Sequence, residues 1–91
     1  MIGKLKQIQG PPVIKNGEIE GDFTHFPVVD GQLCVFGISE EGSMRFVETA
    51  RVVSIDDRNN GVVTFTCKDR CQYSIEKTGE GSMVMENGGA Y

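Results

Sequence analysis

Apolar and polar positions alternate in short runs along most of this chain, and the clearest case lies between Arg51 and Ile75. Arg51-Val52-Val53-Ser54-Ile55 and Val62-Val63-Thr64-Phe65-Thr66-Cys67 are β-branched runs on either side of the polar stretch 56–61, which ends in Asn60-Gly61. That pattern predicts an antiparallel hairpin with a loop of moderate length. A third run, Gln72-Tyr73-Ser74-Ile75, follows the polar link Lys68-Asp69-Arg70-Cys71 and extends the hairpin to a three-stranded meander.

The remaining runs are shorter. Lys4 to Gln9 is read as a strand stopped by Gly10-Pro11-Pro12, because a lone helix of that length is marginal. Asn16-Gly17 suits the two positive-φ positions of a type I′ turn, and predicts a hairpin with Ile14 and Ile19 on facing strands. Phe23 to Val29 has strand composition interrupted by Pro27, so it is expected at an edge or in an extended approach to one. Gln32 to Ile38 is almost continuously apolar and is expected to be a central strand, buried on both sides. The polar stretch 39–43 is expected to be an exposed loop, and Met44 to Ala50 a strand entering the meander. After residue 77 the glycine-rich composition predicts a flexible tail, with one short strand at Met83-Val84-Met85.

The sum is an all-β fold of about six or seven short strands: a small antiparallel barrel or sandwich of SH3-like or OB-like size over residues 1–77, with a flexible Gly-rich tail at 78–91. Ninety-one residues with 38% hydrophobic side chains and no Trp allow one domain with a thin core, so homo-oligomerisation is left open. The five phenylalanines are most simply core residues, since so small a chain needs its large side chains inside; one or two are free to project at an interface. No run approaches a membrane span or a signal peptide, and three cysteines argue against a secreted disulfide framework, so a cytoplasmic protein is expected.

Charge narrows the function. The net charge is −4, and between Asn16 and Glu48 seven acids stand against Arg45 alone. A protein that neutralises phosphates needs a basic face, which makes double-stranded nucleic acid an unsuitable partner. A basic protein partner suits the balance, and Glu18, Glu20, Asp22, Glu40 and Glu41 are the candidate contacts, although acids on strand exteriors and turns are more simply solvated surface.

No constellation for catalysis stands out. His25 with Cys34, Cys67 and Cys71 has the ligand types of a Cys3His zinc site, but C-x3-C with two isolated partners is not a zinc spacing, and reduced structural thiols are the simpler reading. A cysteine nucleophile would have His25 as its one histidine base, with no third orienting group in view. Adjacent acids such as Asp56-Asp57 are ordinary turn formers, and no phosphate-binding loop or cofactor motif is present.

The expectation is therefore a non-enzymatic, acidic protein-binding module without metal or cofactor, of the kind exemplified by an inhibitor or accessory protein of phage or mobile-element type docking on a basic surface. Two alternatives go with it. One is an oligomer holding a small anionic ligand such as a nucleotide between subunits, through Arg45, Arg51, Arg70 and Tyr73. The other is an OB-like module that stacks single-stranded nucleic acid on Phe65 and Tyr73 among nearby bases.

Overall fold

A computed structural model describes residues 1–38, with the backbone alone at Ile38, and residues 42–81. Among the described residues seven strands form one antiparallel sheet: β1 (Ile2–Gln9), β2 (Glu18–Asp22), β3 (Cys34–Ile38), β4 (Met44–Glu48), β5 (Val52–Asn59), β6 (Val62–Cys67) and β7 (Gln72–Gly79). Their order is β4-β3-β2-β1-β7-β6-β5, so the first strand is central and pairs with both the second and the last. The ladder is not closed, and β4 and β5 are its two ends. The sheet nevertheless curls far enough for Val52, the first residue of β5, to exchange hydrogen bonds of 2.8 Å with Asp30 and Gly31, on the way into β3. No helix among the described residues is long and apolar enough to cross a membrane.

Alternation assigns one face to the core. Leu5 opposes Ile19 on one side and Ile75 on the other, and Phe65 opposes Tyr73 with rings stacked at 5.5 Å. These side chains, with Phe23, Leu33, Val35, Val52 and Val63, are buried in a single cluster. Fully burying one such aliphatic or aromatic side chain contributes about 1.5–3 kcal/mol. The opposite face of the central strands is polar. There Lys4 lies between Glu20 and Glu76, and Lys6 between Glu18 and Ser74.

Glycine makes the β2–β3 junction possible. Gly21 faces Gly37, and a Cβ at Gly21 would lie 1.9 Å from the Phe36 carbonyl oxygen. Any side chain there would push the two strands apart.

The all-β class, the strand number and the three-stranded meander agree with the sequence reading, and several details differ. The β5–β6 connection is not a loop over 56–61: β5 continues to Asn59, and a two-residue turn of Asn60 and Gly61, both at positive φ, joins it to β6. Two register shifts in β5 accommodate its polar half within the ladder. Asn16 and Gly17 do have positive φ, but the predicted local hairpin is absent: Ile14 precedes a turn of 3-10 helix, Lys15–Gly17, and β2 pairs with β1. Phe23 to Val29 contains no strand, which removes the edge-strand alternative for that segment, and β4 pairs with β3 rather than with β5. β3 is next to the end of the sheet and not central, and its Phe36 is exposed. β7 runs through Thr78 and Gly79, and the predicted strand at Met83-Val84-Met85 lies outside the described residues.

Candidate docking face

The outer surface of β2, β3 and β4 departs most from the polar exterior of the sheet. Register places Asp22, Phe36 and Phe46 in one row across these strands, so their side chains share a face. The two phenylalanine rings lie 4.6 Å apart, inclined at 35°. Phe36 is 45% exposed, Phe46 53% and Met44, next along the same face of β4, 59%. Three large apolar side chains on one strand pair thus remain in contact with solvent, against the hydrophobic effect.

Acids frame this patch. Glu20 and Asp22 lie on the same face of β2, and Glu48 lies beyond Phe46 on β4. Glu48 accepts a hydrogen bond of 3.3 Å from the Cys34 thiol. Partial burial and that carboxylate together raise the Cys34 pKa, which keeps the thiol protonated.

The five acids proposed from sequence are dispersed. Glu18 lies 4.0 Å from Lys6, and Glu20 accepts from Thr78 and stands opposite Lys4, so β1 offsets part of the negative charge of β2. Asp22 borders Phe36, and Glu40 and Glu41 lie outside the described residues. The four residues proposed for an anionic ligand are split between two places. Arg45, on β4, donates to the Lys15 carbonyl, whereas Arg51 and Arg70 flank the β6–β7 turn, where the Lys68 amide donates to the Arg51 carbonyl. Tyr73 is fully buried, as is Phe65, so neither presents a ring for a ligand or a base to stack on. Near Arg70 a shallow groove of about 440 Å³ runs past Gln9, Val53, Thr66, Lys68 and Gln72. Beside it Asp56 accepts hydrogen bonds from Ser54, Thr66 and Gln72, which hold its pKa below the usual carboxylate value.

The thiols do not converge. Cys34 points outward from β3, whereas Cys67 and Cys71 are buried at the β6–β7 turn, where burial pushes the Cys67 pKa up to about 11 and raises that of Cys71. His25 is exposed, its Nδ1 2.8 Å from the Phe26 carbonyl. Among the described residues no three His, Cys, Asp or Glu side chains are grouped to hold a metal ion. The chain matches no family model, no curated protein and no solved structure.

The sequence reading leaves one or two phenylalanines free to project at an interface without saying which, and it does not single out Met44 or Glu48; the structure puts Phe36 and Phe46 in that role. Met44-Arg45-Phe46-Val47-Glu48 did carry a usable signal. Read with period two, it puts Met, Phe and Glu on one face and Arg and Val on the other, so no face of this strand is wholly suited to a core or wholly to solvent.

Proposed function

We propose that this protein is a non-enzymatic docking module that binds another protein through the outer face of β2, β3 and β4. The carrying observation is the exposed Phe36–Phe46 ring pair, with Met44, which gathers three large apolar side chains on one strand pair, whereas the other strands expose only Ile8 on β1 and Val53 on β5 among the described residues. Exposed aromatic and methionine side chains are the usual anchors of protein interfaces, and the acids around them favour a partner whose rim is basic. An inhibitor or accessory protein of phage or mobile-element type, docking on a basic surface, is the concrete form of this reading. The curl of the sheet supports describing the scaffold as a partly open barrel of SH3-like or OB-like size. The small-anion alternative draws less support because Arg45 lies apart from Arg51 and Arg70 and Tyr73 is buried, and the single-strand alternative because burial of Phe65 and Tyr73 removes the rings on which bases would stack.

A Phe36→Ser/Phe46→Ser double variant tests the proposal against Val53→Ser, which alters an exposed apolar side chain at the other end of the sheet. Both variants are expected to keep the wild-type far-UV dichroism. The first is expected to lose the proteins captured by the wild type from source-cell lysate, and the second to retain them. Equal capture by all three proteins would overturn the proposal.

A further inference from the structure

β4 is the end of the ladder, and the direction of its free backbone groups follows from its pairing with β3. The Thr49 amide donates to the Leu33 carbonyl at 2.9 Å, while the Leu33 amide donates to the Thr49 hydroxyl at 3.0 Å, so these opposed residues, one step beyond β4, take the hydrogen-bonded phase of the ladder. Such pairs alternate with non-hydrogen-bonded ones along an antiparallel ladder. Val47 opposite Val35 and Arg45 opposite Gly37 are then hydrogen-bonded to β3, whereas Glu48, Phe46 and Met44 are not. Their N–H and C=O groups point away from β3, along the open edge. The close approach of the Phe36 and Phe46 rings, at 4.6 Å, fits a non-hydrogen-bonded pair, in which side chains come nearest.

The two ends of the sheet are guarded differently. β5 has two register shifts, carries Asp57 and Arg58, and has its first residue tied to Asp30 and Gly31. Bulges, charges and a covering segment are standard protections of an edge. β4 has neither bulge nor proline; its one inner-face charge, Arg45, is bonded to the Lys15 carbonyl; and no described segment pairs with its outer side.

We infer that a segment of the partner protein adds to β4 as an antiparallel eighth strand with the pattern basic, any, apolar, any, apolar. This rests on the docking reading above and specifies how the partner is held. Antiparallel addition continues the pairing of the whole sheet and gives straight rather than slanted hydrogen bonds. Running opposite to β4, the added strand meets Glu48 first, Phe46 next and Met44 last, with those three partner side chains on the outer face. A lysine or arginine there pairs with the Glu48 carboxylate, and two apolar side chains cover Phe46 and Met44. The Glu48 carboxylate at the edge and the net charge of −4 favour this basic-ended segment over a second copy of the acidic chain.

The test uses the full chain labelled with 15N and capped peptides. Lys-Thr-Ile-Thr-Val is set between threonines and compared with the reversed Val-Thr-Ile-Thr-Lys and with two versions N-methylated at a single residue. The isoleucine opposite Phe46 should donate its N–H to the Phe46 carbonyl, whereas the neighbouring threonine N–H points away. The forward peptide is expected to shift the amides of Met44, Phe46 and Glu48, with affinity falling as salt rises. Reversal or methylation at isoleucine should weaken binding at least tenfold; methylation at threonine should not. Equal binding by all peptides, or no shift at β4, overturns strand addition. So does a shift of these amides with protein concentration alone, or their protection from exchange in the free monomer, because a second copy or another segment of the chain then holds the edge. If Phe36→Ser/Phe46→Ser abolishes capture while no peptide moves β4, the docking face stands and strand addition falls; if the double variant also captures normally, both fall.

Discussion

Tyr73 carries the largest of the fully buried side chains, and its hydroxyl has no hydrogen-bond partner among the described residues. Burial above all, and then the influence of the Cys71 thiol, raises its pKa, so the phenol stays neutral. A buried hydroxyl without a partner forfeits the bond it made with water, at about 1–3 kcal/mol. Tyr73→Phe keeps the stack on Phe65 and removes that loss, so it is expected to stabilise by about 1 kcal/mol, seen as a rise of about 4–8 °C in melting temperature. A fall in melting temperature would show that the hydroxyl is satisfied in solution. Asp56 presents the opposite situation, an exposed acid given three donors. Its folded-state pKa lies below the ordinary 3.8, so the unfolded chain takes up the proton first as the medium is acidified. The stability it contributes is fully present above that value and disappears as pH falls through the folded pKa. The melting-temperature advantage of wild type over Asp56→Asn should therefore be constant near neutrality and shrink in the acid range; a gap that widened on acidification would contradict the network.

At the scale of the element, the β2–β3 junction is the place where one atom decides strand pairing. Its register holds two pairs, and one of them is Gly21 opposite Gly37. Gly21→Ala brings a Cβ against the Phe36 carbonyl, and a backbone obstacle cannot be relieved by a rotamer change. The expected cost is about 2–3 kcal/mol in urea unfolding, with loss of protection at the β3 amides before those of β6. Unchanged stability would mean that the strands separate without cost. Neither glycine announces this role in sequence, since close approach depends on which strand lies alongside. The meander was legible because β5, β6 and β7 are neighbours in both chain and sheet, and their β-branched runs alternate cleanly. Asp56 to Asn59 reads as loop because its residues are polar on both sides, yet the bulges keep it in the ladder. Gln32 to Ile38 reads as central because apolar content reports burial only if a neighbour covers each face. On β3 the outer face has none among the described residues, and Phe36 is left in solvent. The candidate docking face was illegible for the same reason: its acids, rings and open edge come together only through strand order.

For the molecule as a whole, the order β4-β3-β2-β1-β7-β6-β5 sets a folding problem that the element patterns do not show. Leu5 must find Ile75, nearly the whole chain away, before the central strand has both neighbours. The β5–β6 hairpin, by contrast, closes through the two-residue turn at Asn60 and Gly61, and β7 follows after the short turn at 68–70. Loop-closure entropy makes the local meander the earlier structure and the docking of β1 the later one. Truncating Val63, inside the meander, should then slow folding, whereas truncating Leu5 should chiefly accelerate unfolding. Leu5→Ala removes a fully buried side chain and should cost about 2–5 kcal/mol, and Val63→Ala on the order of 1 kcal/mol, enough for both to be measured kinetically. Chevron analysis is expected to give φ of about 0.5 or more at Val63 and about 0–0.3 at Leu5. The reverse ranking would mean that the long-range β1–β7 contact forms first, and that the meander needs β1 as its template. The predicted order has a consequence for the open edge. β3 and β4 are themselves neighbours in the chain, so the same loop-closure entropy lets them pair early, and the Phe36–Phe46 pair forms with that hairpin; the face it shares with β2 is complete only once β2 has docked on β1.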